Sequence, residues 1–341
     1  MISFLAAVLC LVSCRSGQPA PAQMASGNRY ARYFQLLPDG VVSVSPYDGG
    51  RDTLRLTGPL HKLVCLSTSY IGYLDALGAA ETVAGVSGIG YVTQPQVRDR
   101  AVDVGYDAAL DYERIVALHP DLLVTYTVSS VVPPSVAKLR SLGIPVLVLH
   151  EHREDHPLAR AEYIRLFGAL TGRRSRADSV FAGVADRYEA LVQENRRRAG
   201  APVKVLMNMP YGDQWFIPGR GNYISRLVAD AGGTVLGARE GDNGSRVVSR
   251  EEAWTLASEA DAWLHPGGCR TRAQLLGSLP LFGRLAWPGG IYNNIRRQTP
   301  QGGNDFWESG AACPDRILSD LTRIFTGTAT DSTLFYYIRV E

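Results

Sequence analysis

Two glutamates stand at matching places in the chain. Glu113 lies two residues after Asp111, and Glu251 lies two residues after Ser249. Asp111 and Ser249 are helix-capping types, whose side-chain oxygens accept from free backbone N–H groups in the first turn. Ser249 with Glu252 has the spacing of a capping box. Behind Asp111, Ile115, Val116 and Leu118 give the helix an apolar side, and Pro120 ends it. The run Leu122–Val124 then reads as a strand buried on both faces, and Ala260–Leu264 plays that part in the second copy. One acid at a helix start complements the helix dipole. Two in equivalent units imply two lobes of the same design.

Other chemistry-bearing side chains gather where strands should end. Ligands of open α/β sheets sit beyond the carboxyl ends of the strands. Thr68, Ser69, Tyr70, Tyr91, Tyr106, Asp107 and Tyr126 fall there. Trp215-Phe216, beside Pro218-Gly219, and Phe306-Trp307 fall on expected loops of the second half, where aromatic faces suit planar ligands. Arg246, just before the second capped helix, offers a partner to a propionate or phosphate. The expected ligand-binding set is Ser69, Tyr70, Tyr91, Tyr106, Tyr126, Trp215, Phe216, Arg246 and Trp307.

The patterns of catalysis are missing. Gly85–Gly90 spells G-x-S-x-x-G rather than a nucleophile elbow, and Gly302-Gly303 has no following Lys and helix. His150, Glu151, His152 and His156 form a charged connection after a strand, while His265 is the histidine available in the second half. No resident metal or cofactor is expected. Cys65 sits in an apolar run and reads as a buried thiol; Cys269 and Cys313 share one half and leave a disulfide open.

The elements that must position these residues follow from the apolar pattern. The chain has 341 residues, 45% hydrophobic and 20% charged, enough for two domains. Its net charge of +2 gives no footprint for nucleic acid. Alternating strands and helices run from Leu63 to Leu149 and resume at Val203. Between them, Pro157 to Arg198 is helical and broken near Gly172. The fold class is therefore α/β, with two Rossmann-like lobes, parallel sheets and a long connecting helix. The expected divisions are a signal peptide at 1–13, a lipidated tether at 14–28 and a β extension at 29–58. The N-terminal lobe follows at 59–170, the connecting helix at 171–200 and the C-terminal lobe at 201–341.

Ile2–Val12 is apolar but too short to span a bilayer, as in the h-region of a signal peptide. Leu11-Val12-Ser13-Cys14 resembles the bacterial lipobox, which implies lipidation of Cys14. The Pro- and Ala-rich stretch Gln18–Gln23 then reads as a tether.

Taken together, the segments resemble the bacterial periplasmic substrate-binding proteins of importers for cobalamin, haem and iron–siderophore complexes. The likeness is carried by Leu63–Ser69 with Ala76-Leu77-Gly78, Val83–Val86, Asp103-Val104-Gly105, Glu113–Leu118, Pro120–Val124, Leu142–Val146, Ala231-Gly232-Gly233 and Val248–Glu251. Gly302–Glu308 resembles a variant of Bacteroidetes-type members. The resemblance implies a non-enzymatic, lipid-anchored periplasmic monomer that binds a metal chelate between two lobes. Its partners would be an ABC permease dimer with its ATPase. Glu113 and Glu251 match the glutamates by which such proteins dock onto permease arginines, a two-point contact that fixes orientation. Gly72 departs from the pattern, since many members have glutamate there. The alternatives are a zinc- or manganese-ion binder of related architecture, or an enzyme on the same two-lobed fold.

Overall fold

Short runs of two to five residues become the strands of two mainly parallel sheets. The computed structural model describes residues 27–106, 109–198 and 200–341; the expected signal peptide, Cys14 and most of the tether lie outside these residues. An antiparallel three-stranded sheet comes first, from β1 (Phe34–Leu37), β2 (Gly40–Val44) and β3 (Arg51–Arg55). Pro38-Asp39-Gly40 turns the first hairpin, as its composition predicts.

The N-terminal lobe follows: β4 (Leu63–Cys65), α1 (Thr68–Ala76), β5 (Val83–Val86), α2 (Pro95–Arg98), β6 (Val102–Asp103), α3 (Tyr112–Leu118), β7 (Leu122–Tyr126), α4 (Pro134–Ser141) and β8 (Val146–Leu149). Its sheet is parallel, in the order β6-β5-β4-β7-β8. Helices α5 (Pro157–Ala161), α6 (Tyr163–Leu170) and α7 (Arg174–Arg197) lead to the second lobe.

That lobe contains β9 (Val203–Met207), β10 (Trp215–Pro218), α8 (Tyr223–Asp230), β11 (Gly233–Val235), β12 (Ser245–Val248), α9 (Arg250–Ser258), β13 (Ala262–Leu264), α10 (Arg272–Ser278) and β14 (Gly290–Asn293). After β14 come α11 (Ser309–Ala312), α12 (Pro314–Phe325) and β15 (Ile338–Arg339). The main sheet runs β11-β9-β13-β14-β15, parallel except for β15. β10 and β12 pair separately and antiparallel.

The 24 residues of α7 make a rod ~36 Å long. Ala177, Phe181, Val184, Ala185, Tyr188 and Val192 are its buried stripe. Near its start, the Arg176 guanidinium donates to the Leu77 carbonyl of the first lobe at 2.7 Å. Further along, the Tyr188 hydroxyl donates to Asp230 of the second lobe at 2.8 Å, and Asn195 to the Asp230 carbonyl at 2.9 Å. One rigid element thus touches both lobes.

Buried carboxylates fasten the chain at other crossings. Glu162 accepts from the backbone N–H groups of Arg29, Tyr30 and Ala31 at 2.7–2.8 Å. Glu154 accepts from those of Arg32 and Tyr33. These bonds hold the β extension against the start of the connecting helices, and Phe34 and Val41 enter the first lobe's core.

The chain also crosses back late. α11 packs on α1, and Ala311 and Ala312 lie in the first lobe's core. Gly72 makes this possible: a Cβ there would stand 2.0 Å from the Glu308 carbonyl oxygen. The departure at Gly72 is thus a packing requirement, because a glutamate would collide with the returning backbone. Gly72→Ala is expected to cost ~1–3 kcal/mol or more of unfolding free energy in urea titrations. An unchanged midpoint would mean that α11 does not seat on α1.

Candidate functional site

The cleft between the lobes has a volume of ≈ 470 Å³. Thr68 and Tyr91 line it from the first lobe; Asn208, His265, Asn294, Gln298, Asn304 and Trp307 are among the residues that line it from the second. Among the described residues, none of those that line it is Lys, Arg, Asp or Glu. The surface is amide-rich, with Tyr91 and Trp307 as aromatic walls.

Strained backbone marks its floor. Non-glycine residues with positive φ are uncommon. Among the described residues they are His119, Asn208 (φ 65°) and His265 (φ 60°). His119 closes a helix. The other two directly follow β9 and β13, adjacent parallel strands with Met207 opposite Leu264. The Asn208 N–H donates to the Leu264 carbonyl at 2.9 Å, and the His265 N–H to the Tyr292 carbonyl at 3.0 Å. Each strand therefore keeps its ladder for one more residue while the left-handed turn redirects the side chain. Such strain persists where surrounding bonds over-determine it, and it concentrates at functional sites.

His265 is 8% exposed, and burial pushes its imidazole down to about 3. It is neutral at ordinary pH. Its Nε2 lies 2.8 Å from the Tyr337 hydroxyl, and its ring meets Phe306 and Trp307 edge-on. The Asn293 amide holds the following loop by donating to the Gly267 and Cys269 carbonyls at 2.9 and 2.8 Å.

The opposite rim is fixed by Asp103, which accepts from the N–H groups of Gly88, Ile89 and Gly105. This shapes the turn carrying Tyr91, whose ring sits 5.8 Å from that of Tyr106. The rims are also tied across the lobes. Thr299 donates to the Gly90 carbonyl at 2.7 Å, and Glu308 accepts from the N–H groups of Thr93 and Gln94 at 2.7 and 2.8 Å.

Burial pushes the Glu308 carboxyl up to about 7, partly opposed by those N–H donors. Glu154 is likewise pushed up to about 7 by burial. A raised value means that the folded protein holds these protons more tightly than the unfolded chain. Stability from this source is full below the ordinary carboxylate pKa and is lost as pH rises through about 7. Unfolding free energy is expected to fall by on the order of 1–3 kcal/mol between roughly pH 5 and pH 8. Glu308→Gln should flatten part of that slope while keeping an acceptor. Urea titrations across pH decide this, and the same slope in the variant contradicts it.

Of the sequence-predicted ligand set, Tyr91 and Trp307 line the cleft and Tyr106 adjoins it. Others require correction. Trp215 is fully buried; its indole donates to the Met207 carbonyl at 2.8 Å and its ring stacks on Phe282. It and Phe216 lie in β10 rather than a loop, and neither lines the cleft. Tyr70 is fully buried in α1, with its hydroxyl donating to the Thr125 carbonyl at 3.0 Å. Ser69, 4% exposed, donates to Glu151 at 3.0 Å. Arg246 is held by the Gly237 carbonyl and pairs with Glu252 at 2.6 Å. That pairing also removes the reciprocal half of the expected capping box, although Ser249 still accepts from the Glu252 N–H. Tyr126 ends β7 beside His152 and does not line the cleft.

Asn208, Asn294, Gln298 and Asn304 escaped sequence reasoning, as did His265 as a cleft residue. The signals were present: an asparagine directly after the apolar run Val205–Met207, and His265 before Pro266-Gly267-Gly268. Glu113 and Glu251 are exposed in the first turns of α3 and α9, and among the described residues neither makes an ion pair. Cys65, Cys269 and Cys313 are free thiols. Among the described residues no group of three or more His, Cys, Asp or Glu could hold a metal ion, and no helix is long and apolar enough to cross a membrane.

Comparison with known proteins agrees with this architecture. A periplasmic haem-binding protein of Pseudomonas aeruginosa superposes with a TM-score of 0.63 at 21% identity, covering 83% of this chain and 98% of that one. The periplasmic vitamin B12-binding protein of Vibrio cholerae gives 0.58 at 13% identity, covering 79% and 98%. In sequence, an uncharacterised lipoprotein of Methanocaldococcus jannaschii is 22% identical over 82% of this chain and 70% of its own. A cobalamin-binding protein of Halobacterium salinarum is 24% identical over 64% of this chain, which spans 55% of that relative's length. The two structural neighbours are named for periplasmic binding of haem and of vitamin B12. Residues 63–272 match the periplasmic binding protein family, and the chain belongs to it.

Proposed function

We propose that this protein captures a cobalt corrinoid in the inter-lobe cleft and delivers it to an ABC permease, anchored to a membrane through lipidated Cys14. Binding proteins of this family deliver ligand to ABC permeases. The observation that carries the choice of ligand is the uncharged, amide-rich lining built from Asn208, Asn294, Gln298 and Asn304. A corrin periphery bears carboxamides, which pair with side-chain amides as donor and acceptor at once. Haem propionates or an anionic ferric chelate would instead place negatively charged oxygens against a lining with no cation among the described residues, at a desolvation cost that this lining does not offset. The cobalamin-binding relative supports the same choice, and the lipoprotein relative supports the anchor.

For delivery, Glu113 and Glu251 are the proposed docking pair. Glu251 lines, with Arg250 and Arg284, a groove of ≈ 480 Å³ whose apolar part is Trp254, Leu279, Pro280, Leu281 and Phe282. A charge beside exposed apolar surface is the composition of a docking rim.

The ligand assignment is tested by titrating the purified protein with cyanocobalamin and with its monocarboxylate derivative, in which one peripheral amide is hydrolysed. The amide should be preferred by about tenfold or more, because the derivative brings a carboxylate into the uncharged cleft. Equal affinity for the two, or no binding of either, contradicts the reading.

A further inference from the structure

The histidine in the cleft has one nitrogen committed and one available. His265 Nε2 lies against the Tyr337 hydroxyl at 2.8 Å, and among the described residues Nδ1 makes no hydrogen bond. Nδ1 is not one of the sealed polar atoms without a partner, and the residue lines the cleft. The ring is fixed on several sides. Tyr337 stacks on it at 5.6 Å with a 25° interplanar angle, and Phe306 and Trp307 meet it edge-on at 5.2 and 6.4 Å. Its backbone is held at φ 60° by the strand ladder. A strained residue with an immobilised imidazole is an expensive way to fill space.

We propose that His265 is an axial ligand to the chelated metal: its Nδ1 replaces a labile water on the cobalt of the bound corrinoid. This rests on the corrinoid reading above. The step is a ligand exchange without redox change. The Co–OH2 bond breaks, a Co–N bond forms and water leaves. Coordination selects the tautomer with its proton on Nε2, and that N–H then donates to the Tyr337 oxygen across a 2.8 Å contact that accommodates either direction. Partner bonds of this kind set which histidine nitrogen carries the proton and orient the ring for the metal. The cleft then discriminates by axial chemistry as well as by outline: a corrinoid with an exchangeable axial water gains a bond that cyanocobalamin can form only by giving up cyanide or its axial nucleotide base.

The test uses the full chain with two probes, aquocobalamin and cyanocobalamin, followed by absorbance and affinity. Wild-type protein should shift the corrin bands of aquocobalamin as a nitrogen ligand replaces water, and should bind it at least tenfold more tightly than cyanocobalamin. Cyanocobalamin should bind with unshifted bands. His265→Asn keeps a residue that tolerates the left-handed conformation. It should bind both probes equally, with no shift for either. Aquocobalamin bound to wild-type protein with unshifted bands overturns the inference and leaves the corrinoid reading standing. A full shift retained in the Asn variant also overturns it, since the nitrogen would come from elsewhere. No binding of either probe removes the reading and the inference together.

Discussion

Replacing Glu113 and Glu251 together by glutamine is expected to leave a folded, ligand-binding protein that no longer supports uptake. Both side chains are exposed in first helical turns, away from the cleft lining. As dipole complements alone they would be worth ~0.3–1 kcal/mol each to stability and nothing to transport. As docking acids they would form ion pairs desolvated at an interface, which cost on the order of 2–5 kcal/mol to break. Uptake into vesicles carrying the cognate permease should fall roughly thirtyfold or more at limiting binding protein. Arginine at both positions should do worse than glutamine, because like charges would then face each other. Normal uptake by the double glutamine variant would leave these residues as ordinary helix-start acids.

The two tryptophans that looked alike in sequence should separate cleanly. Trp307 is 41% exposed and walls the cleft, so Trp307→Ala should weaken corrinoid binding by ~1–3 kcal/mol with little loss of stability. Trp215 is fully buried among Trp263 and Phe282. Trp215→Ala should cost ~3–5 kcal/mol of stability through the cavity it leaves. Calorimetric binding and urea unfolding on both variants measure this, and exchanged phenotypes would put the site elsewhere.

The contrast between these residues explains how far sequence reasoning reached. Leu122–Val124 and Val205–Met207 are short apolar runs, each preceded within three residues by a proline, so strands, alternation and two lobes were legible locally. Trp215 was not, because Pro218-Gly219 reads as loop punctuation while the strand's partner lies at Ser245–Val248. The late crossing was equally hidden. It depends on Glu308 meeting Thr93 and Gln94 and on the bare Cα of Gly72, contacts more than two hundred residues apart in the chain. The cleft's floor depends on backbone angles at Asn208 and His265 that residue type permits without requiring.

An uncharged, amide-lined cleft should select a corrinoid over other metal chelates. Equilibrium dialysis of the protein against an equimolar mixture of cyanocobalamin, ferric protoporphyrin, an anionic ferric catecholate and a neutral ferric hydroxamate tests it directly. Cobalt should be retained in stoichiometric amount while iron passes through; retained iron, as protoporphyrin or as either siderophore complex, with cobalt left outside would contradict a corrinoid-selective cleft.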